Sequence, residues 1–226
     1  MQKEILKYPL TYAIMLLNVL AYILSSWMSS SVVEMPLETL VDLGALFGPY
    51  VVLQEQWWRL GTAMFLHGGM THILMNMFSL YLVGRGAESY FDTKSYLTLY
   101  LLSGLIGGVA SLYMHPVSVA IGASGAIFGM FGALAGFFLA HRHQIATHAK
   151  AFMKDFAVII GLNLVIGFSI ESVDVSAHVG GLFAGFIGGY LLSLSTKFLW
   201  LYGVLMLLLM FAVATTLPAQ YANIPF

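Results

Sequence analysis

Seven apolar stretches, almost free of charge, divide this chain and leave it few ways to fold. They cover about residues 9–27, 70–88, 95–114, 123–141, 152–169, 176–195 and 198–217. A helix needs about 20 apolar residues to cross the hydrocarbon of a bilayer, and each stretch supplies roughly that number. Seven spans would use most of the 226 residues, so no sizeable soluble domain fits beside them. Charged residues make up 8% of the chain, against about 25% in an ordinary soluble domain, and mean hydropathy is +0.88. The expected fold class is an all-α polytopic membrane protein, a single membrane domain over residues 1–226. A net charge of −1 gives nucleic acid no basic face to meet. The lack of cysteine excludes disulfides, thiolate zinc sites and cysteine nucleophiles. The first stretch is long and lacks a small-x-small pattern at its end, so it reads as a retained helix rather than a cleaved signal.

The basic residues set the direction of the spans. With alternating helices, Lys3, Lys7, Arg85, Lys94, Arg142, Lys150, Lys154 and Lys197 all fall on one side. The other side receives only Arg59 among the basic residues, together with Glu34, Glu38, Asp42, Glu55, Glu171 and Asp174. Basic residues stay cytoplasmic, which places the amino terminus inside and the carboxyl terminus outside. Only one connection is long, about residues 28–69, and a loop of that length in a compact protein is usually functional. It contains apolar pieces at 43–47 and 57–66, and its Trp57 and Trp58 suit a membrane interface. The expectation is an external structure lying partly in the outer leaflet.

Polar side chains inside a span are costly and are functional candidates by default. His67, His72 and Asn76 occur in HGGMTHILMN at the start of span 2, Ser124 in IGASGAIFG at the start of span 4, and His178 in SAHVGGLFAG at the start of span 6. These three spans run in one direction, so their first turns share one depth below the external surface. His72 and Asn76, four apart, share a helix face. A serine, two histidines and an asparagine at one level are the parts for acyl transfer, with Ser124 as nucleophile and His178 as general base. Ser124 opens its helix, leaving backbone N–H groups free for an oxyanion, and His72 and Asn76 can add donors. Phe128, one turn on, is placed to pack against the His178 ring. Glu171 and Asp174 fall in the outer loop, so the expectation is a dyad rather than a triad.

At these residues the sequence resembles the rhomboid intramembrane serine proteases. The likeness rests on WR (Trp58, Arg59), HGGMTHILMN, GRGAE ending at Glu88, GASG around Ser124 with Gly122, and AHVGG followed by Gly185. It runs from Trp58 to Gly189 in the family's order. It implies a six-helix catalytic core over about 1–195 and an extra carboxyl-terminal transmembrane helix over 196–226. It also implies a Ser124–His178 dyad, oxyanion donors from His72, Asn76 and the Ser124 backbone, and cleavage of other membrane proteins in or near their transmembrane segments. No cofactor or metal is implied. The expected setting is a bacterial inner membrane, with the site opening to the external side. Family members often carry a tyrosine one turn after the serine. Phe128 keeps that ring and loses its hydroxyl.

Other residues receive structural readings. Arg59 and Glu88 are expected to pair with loop carbonyls or cap helices, and His67 to hydrogen-bond within the first loop. His141, His143 and His148 in HRHQIATH read as a solvated cytoplasmic face rather than a metal site. The thirteen methionines read as gap-filling apolar residues. Gly125, Gly129, Gly132 and Gly136 on span 4 and Gly181, Gly185, Gly188 and Gly189 on span 6 form small faces that let helices approach closely in lipid. Competing functions are a small transporter, which would favour internal repeats, and an inactive relative that binds membrane clients. A zinc protease lacks its H-E-x-x-H signature.

Overall fold

The structure is a computed structural model and describes residues 2–144, 161, 173–222 and 224. Span 5 (152–169) apart from Gly161, together with His148, Lys150, Lys154 and Glu171, lies outside the described residues. In chain order the elements are α1 (Gln2–Lys7), α2 (Pro9–Ser29), α3 (Leu37–Asp42), β1 (Leu46–Phe47), α4 (Gly48–Val52), α5 (Arg59–Thr62) and α6 (Met70–Glu88). There follow α7 (Thr93–Met114), β2 (Val119–Ala120), α8 (Ser124–Ala140), α9 (Val175–Leu194), α10 (Leu199–Ala214) and α11 (Leu217–Tyr221). Among the described residues, four helical segments are long and apolar enough to cross a membrane: Pro9–Ser29, Thr93–Met114, Val175–Leu194 and Thr196–Tyr221. The last of these is interrupted at Thr215 and Thr216, so the seventh apolar stretch ends in the separate short helix α11. Helix α8 is apolar but has only 17 residues. Helix α6 has the expected bounds, yet His72, Asn76, Arg85 and Glu88 keep it outside the apolar class.

Side chains supply several of the helix starts. Asp92 caps α7, accepting from the N–H groups of Lys94 (2.9 Å) and Ser95 (3.0 Å). Asp174 caps α9, accepting from the Ala177 N–H at 3.1 Å. The start of α2 is capped from another helix. Glu88, at the end of α6, accepts from the N–H groups of Leu10 (2.8 Å) and Thr11 (2.9 Å) and from the Thr11 hydroxyl (2.6 Å). A carboxylate at free helical N–H groups satisfies donors that the helix itself cannot. The Thr11 Oγ1 also lies 3.0 Å from the buried Tyr96 hydroxyl on α7, so one carboxylate ties three helices. Beside it, Arg85 donates to Glu4 at 2.7 Å and lies over the rings of Tyr8 and Tyr81.

Helices α7, α8 and α9 form the centre. On α9, a Cβ at Gly181 would overlap the carbonyl oxygen of Gly125, one at Gly185 that of Gly129, and one at Gly189 that of Ala133. From the other side, a Cβ at Gly132 or Gly136 would overlap the carbonyls of Leu182 or Phe186. The facing stripes therefore touch backbone to backbone, and nothing larger than hydrogen fits between them. Ser103 of α7 lies against Gly129, and Gly107 of α7 against the Ala177 carbonyl.

The long connection is structured, which its length alone did not specify. Its apolar piece at 43–47 contains β1, paired antiparallel with β2 through Leu46 to Ala120 and Phe47 to Val119. Arg59 is buried and fastens this layer, donating from Nη1 to the carbonyls of Val41 (2.6 Å) and Ala45 (3.0 Å) and from Nε to Gln56 (2.7 Å).

Gly185→Leu is expected to lose thermal stability, and even Gly185→Ala meets backbone that cannot step aside. Overpacking costs about 1–3 kcal/mol. Melting of the detergent-solubilised variant, beside Leu207→Val at an exposed position of α10, checks this: the first should melt several degrees lower and the second within about a degree of wild type.

Candidate active site

The starts of α6, α8 and α9 converge at one end of the bundle. His72 is the third residue of α6, Ser124 the first of α8 and His178 the fourth of α9. The Nε2 of His178 lies 2.8 Å from Ser124 Oγ. A hydroxyl donating to an unprotonated ring nitrogen at that distance is the pairing that makes a serine nucleophilic. For Nε2 to accept, the ring proton resides on Nδ1. That atom is buried and has no hydrogen-bond partner among the described residues. Asp174, one turn earlier, caps its own helix, and Glu171 lies outside the described residues. The ring is instead held by its face: Phe128 stacks on it with centroids 4.3 Å apart and planes 9° from parallel.

Gly122 brings the remaining polar groups into range. Its φ of +114° lies in the region that side chains rarely adopt, and a Cβ there would stand 2.8 Å from His72 Nε2 and 3.6 Å from Asn76 Nδ2. Only glycine lets the chain enter α8 this close to both. The Gly122 N–H donates to the Ala63 carbonyl at 2.9 Å, pinning the turn. His72 Nδ1 accepts from the Gly68 N–H at 3.4 Å, which leaves Nε2–H as the donor aimed at Gly122. Asn76, buried, donates to the His72 carbonyl at 3.2 Å. The first N–H groups of α8 have no acceptor within the helix and carry its positive dipole end. His72, Asn76, Ser124, Phe128 and His178 all line one open cavity of about 1550 Å³. The site therefore combines a hydroxyl on an imidazole with several donors converging beside it, a set suited to a tetrahedral oxyanion.

Residues 54–195 match the rhomboid domain. The chain belongs to the rhomboid family. It is 38% identical over 157 residues to "Rhomboid protease GluP" of Bacillus subtilis (strain 168), a match covering 70% of this chain and 30% of that protein. To "RHOMBOID-like protein 7" of Arabidopsis thaliana it is 36% identical over 162 residues, 72% of this chain and 51% of the relative. To "Putative rhomboid protease YdcA" of Bacillus subtilis (strain 168) it is 32% identical over 141 residues, 62% of this chain and 69% of the relative. The chain thus spans from about a third to about half the length of the first two. Family membership and the apolar helices make it an integral, multi-pass membrane protein.

The supporting residues of this rhomboid domain divide by position. Gly122 and Phe128 touch the cluster, whereas Gly181 and Gly185 lie behind it in the α8–α9 contact. His67 is fully buried, with Nδ1 3.3 Å from the Phe65 carbonyl and its ring edge-on to His72 at 5.0 Å. Trp58 is exposed and sits beside the Arg59 guanidinium, 4.8 Å from ring to Cζ. Glu88 is at the far end of α6, and His141 stacks on Phe137 at the far end of α8. Sequence reasoning missed the Ala63 carbonyl that pins Gly122, because a backbone acceptor leaves no compositional signal. It also missed the β1–β2 ribbon, whose only trace was the short apolar run at 43–47.

Replacing Phe128 by Leu keeps apolar volume and removes the stack. Aromatic pairing is worth about 0.5–1.5 kcal/mol beyond burial, so labelling of Ser124 by a fluorophosphonate should slow by up to about tenfold with an unchanged far-ultraviolet spectrum. Labelling kinetics followed by intact-mass measurement read this directly.

Proposed function

We propose that this rhomboid-family chain is an intramembrane serine endopeptidase that hydrolyses peptide bonds in or near transmembrane segments of membrane proteins. The observation that carries the reading is the 2.8 Å contact between Ser124 Oγ and His178 Nε2 at the start of two glycine-packed helices. In this mechanism Ser124 Oγ attacks the substrate carbonyl carbon as His178 Nε2 takes the hydroxyl proton. The oxyanion is held by the first N–H groups of α8, by His72 Nε2–H and by the Asn76 amide, which turns from the His72 carbonyl. Collapse of the intermediate delivers the proton from His178 to the leaving amine, leaving an acyl ester on Ser124. Water, activated by the same imidazole, hydrolyses the ester and restores both groups. No metal or cofactor takes part.

The architecture under this reading is a six-helix core over residues 1–195, with 196–226 adding a further transmembrane helix. The amino terminus is cytoplasmic, the carboxyl terminus is outside, and the site opens on the external side of a bacterial cell membrane. The bias of basic residues supports that direction, and an outward opening gives the hydrolytic water a route that hydrocarbon denies. A substrate segment unwinds at this level before its bond reaches Ser124, because a helical carbonyl is already hydrogen-bonded and shielded.

Ser124→Ala and His178→Ala are expected to abolish cleavage of a transmembrane substrate while the purified proteins stay folded. Asn76→Ala should lower kcat more than it raises KM. Loss of one oxyanion donor costs about 10²–10³ in kcat, and the loss here should fall below that range because His72 and the backbone remain. Fluorophosphonate labelling followed by peptide mapping should modify Ser124 alone. A folded Ser124→Ala protein that cleaves at the wild-type rate would overturn the assignment.

A further inference from the structure

The short helix α11 and its approach sit far from Ser124 in sequence, yet they are built into the layer that shapes the site. Leu217 and Tyr221 are completely buried. The Tyr221 hydroxyl donates to the Leu112 carbonyl at 2.7 Å, and the Gln220 amide donates to the Tyr113 carbonyl at 2.8 Å. Both acceptors are at the end of α7, where the chain leaves for β2. On its other side the Tyr221 hydroxyl fills the space over Gly48, where a Cβ would overlap it and the Pro116 carbonyl. Gly48 immediately follows β1. Leu217 and Tyr221 also share an apolar cluster with Leu46, Leu60, Ala63 and Leu112. Tyr221 therefore touches both chain segments that lead into the β1–β2 ribbon, from β1 at Gly48 and towards β2 at Leu112.

The ribbon in turn runs into the site. Ala120, paired with Leu46, is two residues before Gly122, and Ala63 of the same cluster holds the Gly122 N–H. We propose that α11 is a clamp on the β1–β2 ribbon and that Tyr221 is a positioning residue for the oxyanion donors at the start of α8. This rests on the protease reading given above. The extra helix α10 then has a concrete task, which is to carry Leu217 and Tyr221 back to the active-site end of the bundle. Tyr221 acts through Gly122 and reaches no reacting atom. Its loss should leave substrate binding alone and misplace the donors, and displacement by about 1 Å from a distant change can cost about 10²-fold in rate.

The test compares Tyr221→Ala and Tyr221→Phe with wild-type full-length protein in detergent, below the melting temperature of each. Cleavage of a transmembrane substrate, labelling by a fluorophosphonate and amide hydrogen exchange are measured together. Tyr221→Ala is expected to lower kcat by about 10- to 100-fold with KM within about twofold of wild type. Exchange should quicken at residues 46–48 and 119–122 and stay unchanged in α9. Tyr221→Phe keeps the ring and loses the bond to Leu112, and should fall between the two. Activity that drops only with the folded fraction, with ribbon exchange unaltered, overturns the clamp. A raised KM at unchanged kcat overturns it too, since it would assign the segment to substrate contact. Should wild-type protein neither label at Ser124 nor cleave, the protease reading fails by itself. Ribbon exchange in Tyr221→Ala then still decides whether α11 holds the ribbon.

Discussion

The contact between α8 and α9 sets the scale for everything around it. Hydrocarbon surrounds the helices as readily as their neighbours do, so apolar burial gives little reason for two spans to associate in lipid. What brings this pair together is direct apposition of backbone, with Gly181, Gly185 and Gly189 laid over the carbonyls of Gly125, Gly129 and Ala133. A serine side chain is short, and its hydroxyl reaches an imidazole on the next helix only if the axes nearly touch. The 2.8 Å separation of Ser124 and His178 is thus a consequence of what is missing from the faces beneath them.

The two ends of the bundle are held differently. At the end away from Ser124, polar groups do the fastening: Glu88 caps α2 and, through Thr11, meets Tyr96, while Arg85 binds Glu4. At the other end the layer between α2 and α6 is stiffened by Arg59 bonded to two carbonyls and by the two-stranded ribbon. The Glu88 cap, the Arg59 bonds and the ribbon satisfy backbone groups that lipid would leave stranded. Below the Ser124–His178 pair, the described faces of α8 and α9 meet by close backbone packing.

Much of this was legible in the residues. The bounds of α6 coincide with the apolar stretch at 70–88, and those of α8 and α9 differ by one residue at each end, because the stretches stop at polar caps such as Asp174. The glycine spacing on spans 4 and 6 indicated facing stripes, since nothing else explains small residues at three- and four-residue steps in lipid. The placement of His72, Asn76, Ser124 and His178 at one depth followed from alternation of direction alone. The interior of the 28–69 connection was not legible. Its elements are two to six residues long and are held by carbonyl acceptors, Ala63 for Gly122 and Val41 for Arg59, that any sequence possesses. Nor did hydropathy reveal that the last apolar stretch breaks at Thr215 and Thr216, which is what turns Tyr221 inward.

The unpartnered Nδ1 of His178 gives the aromatic stack a second role. Under the proposed chemistry the imidazole becomes a cation while the oxyanion forms, and no described carboxylate hydrogen-bonds its Nδ1. The face of Phe128 does stand against it, 4.3 Å away. An aromatic quadrupole attracts a cation over its face by about 0.5–2 kcal/mol, the more so when water is excluded. A neutral ring gains little of this. The stack therefore strengthens as the barrier is climbed, so a residue with no polar atom would favour the transition state over the ground state.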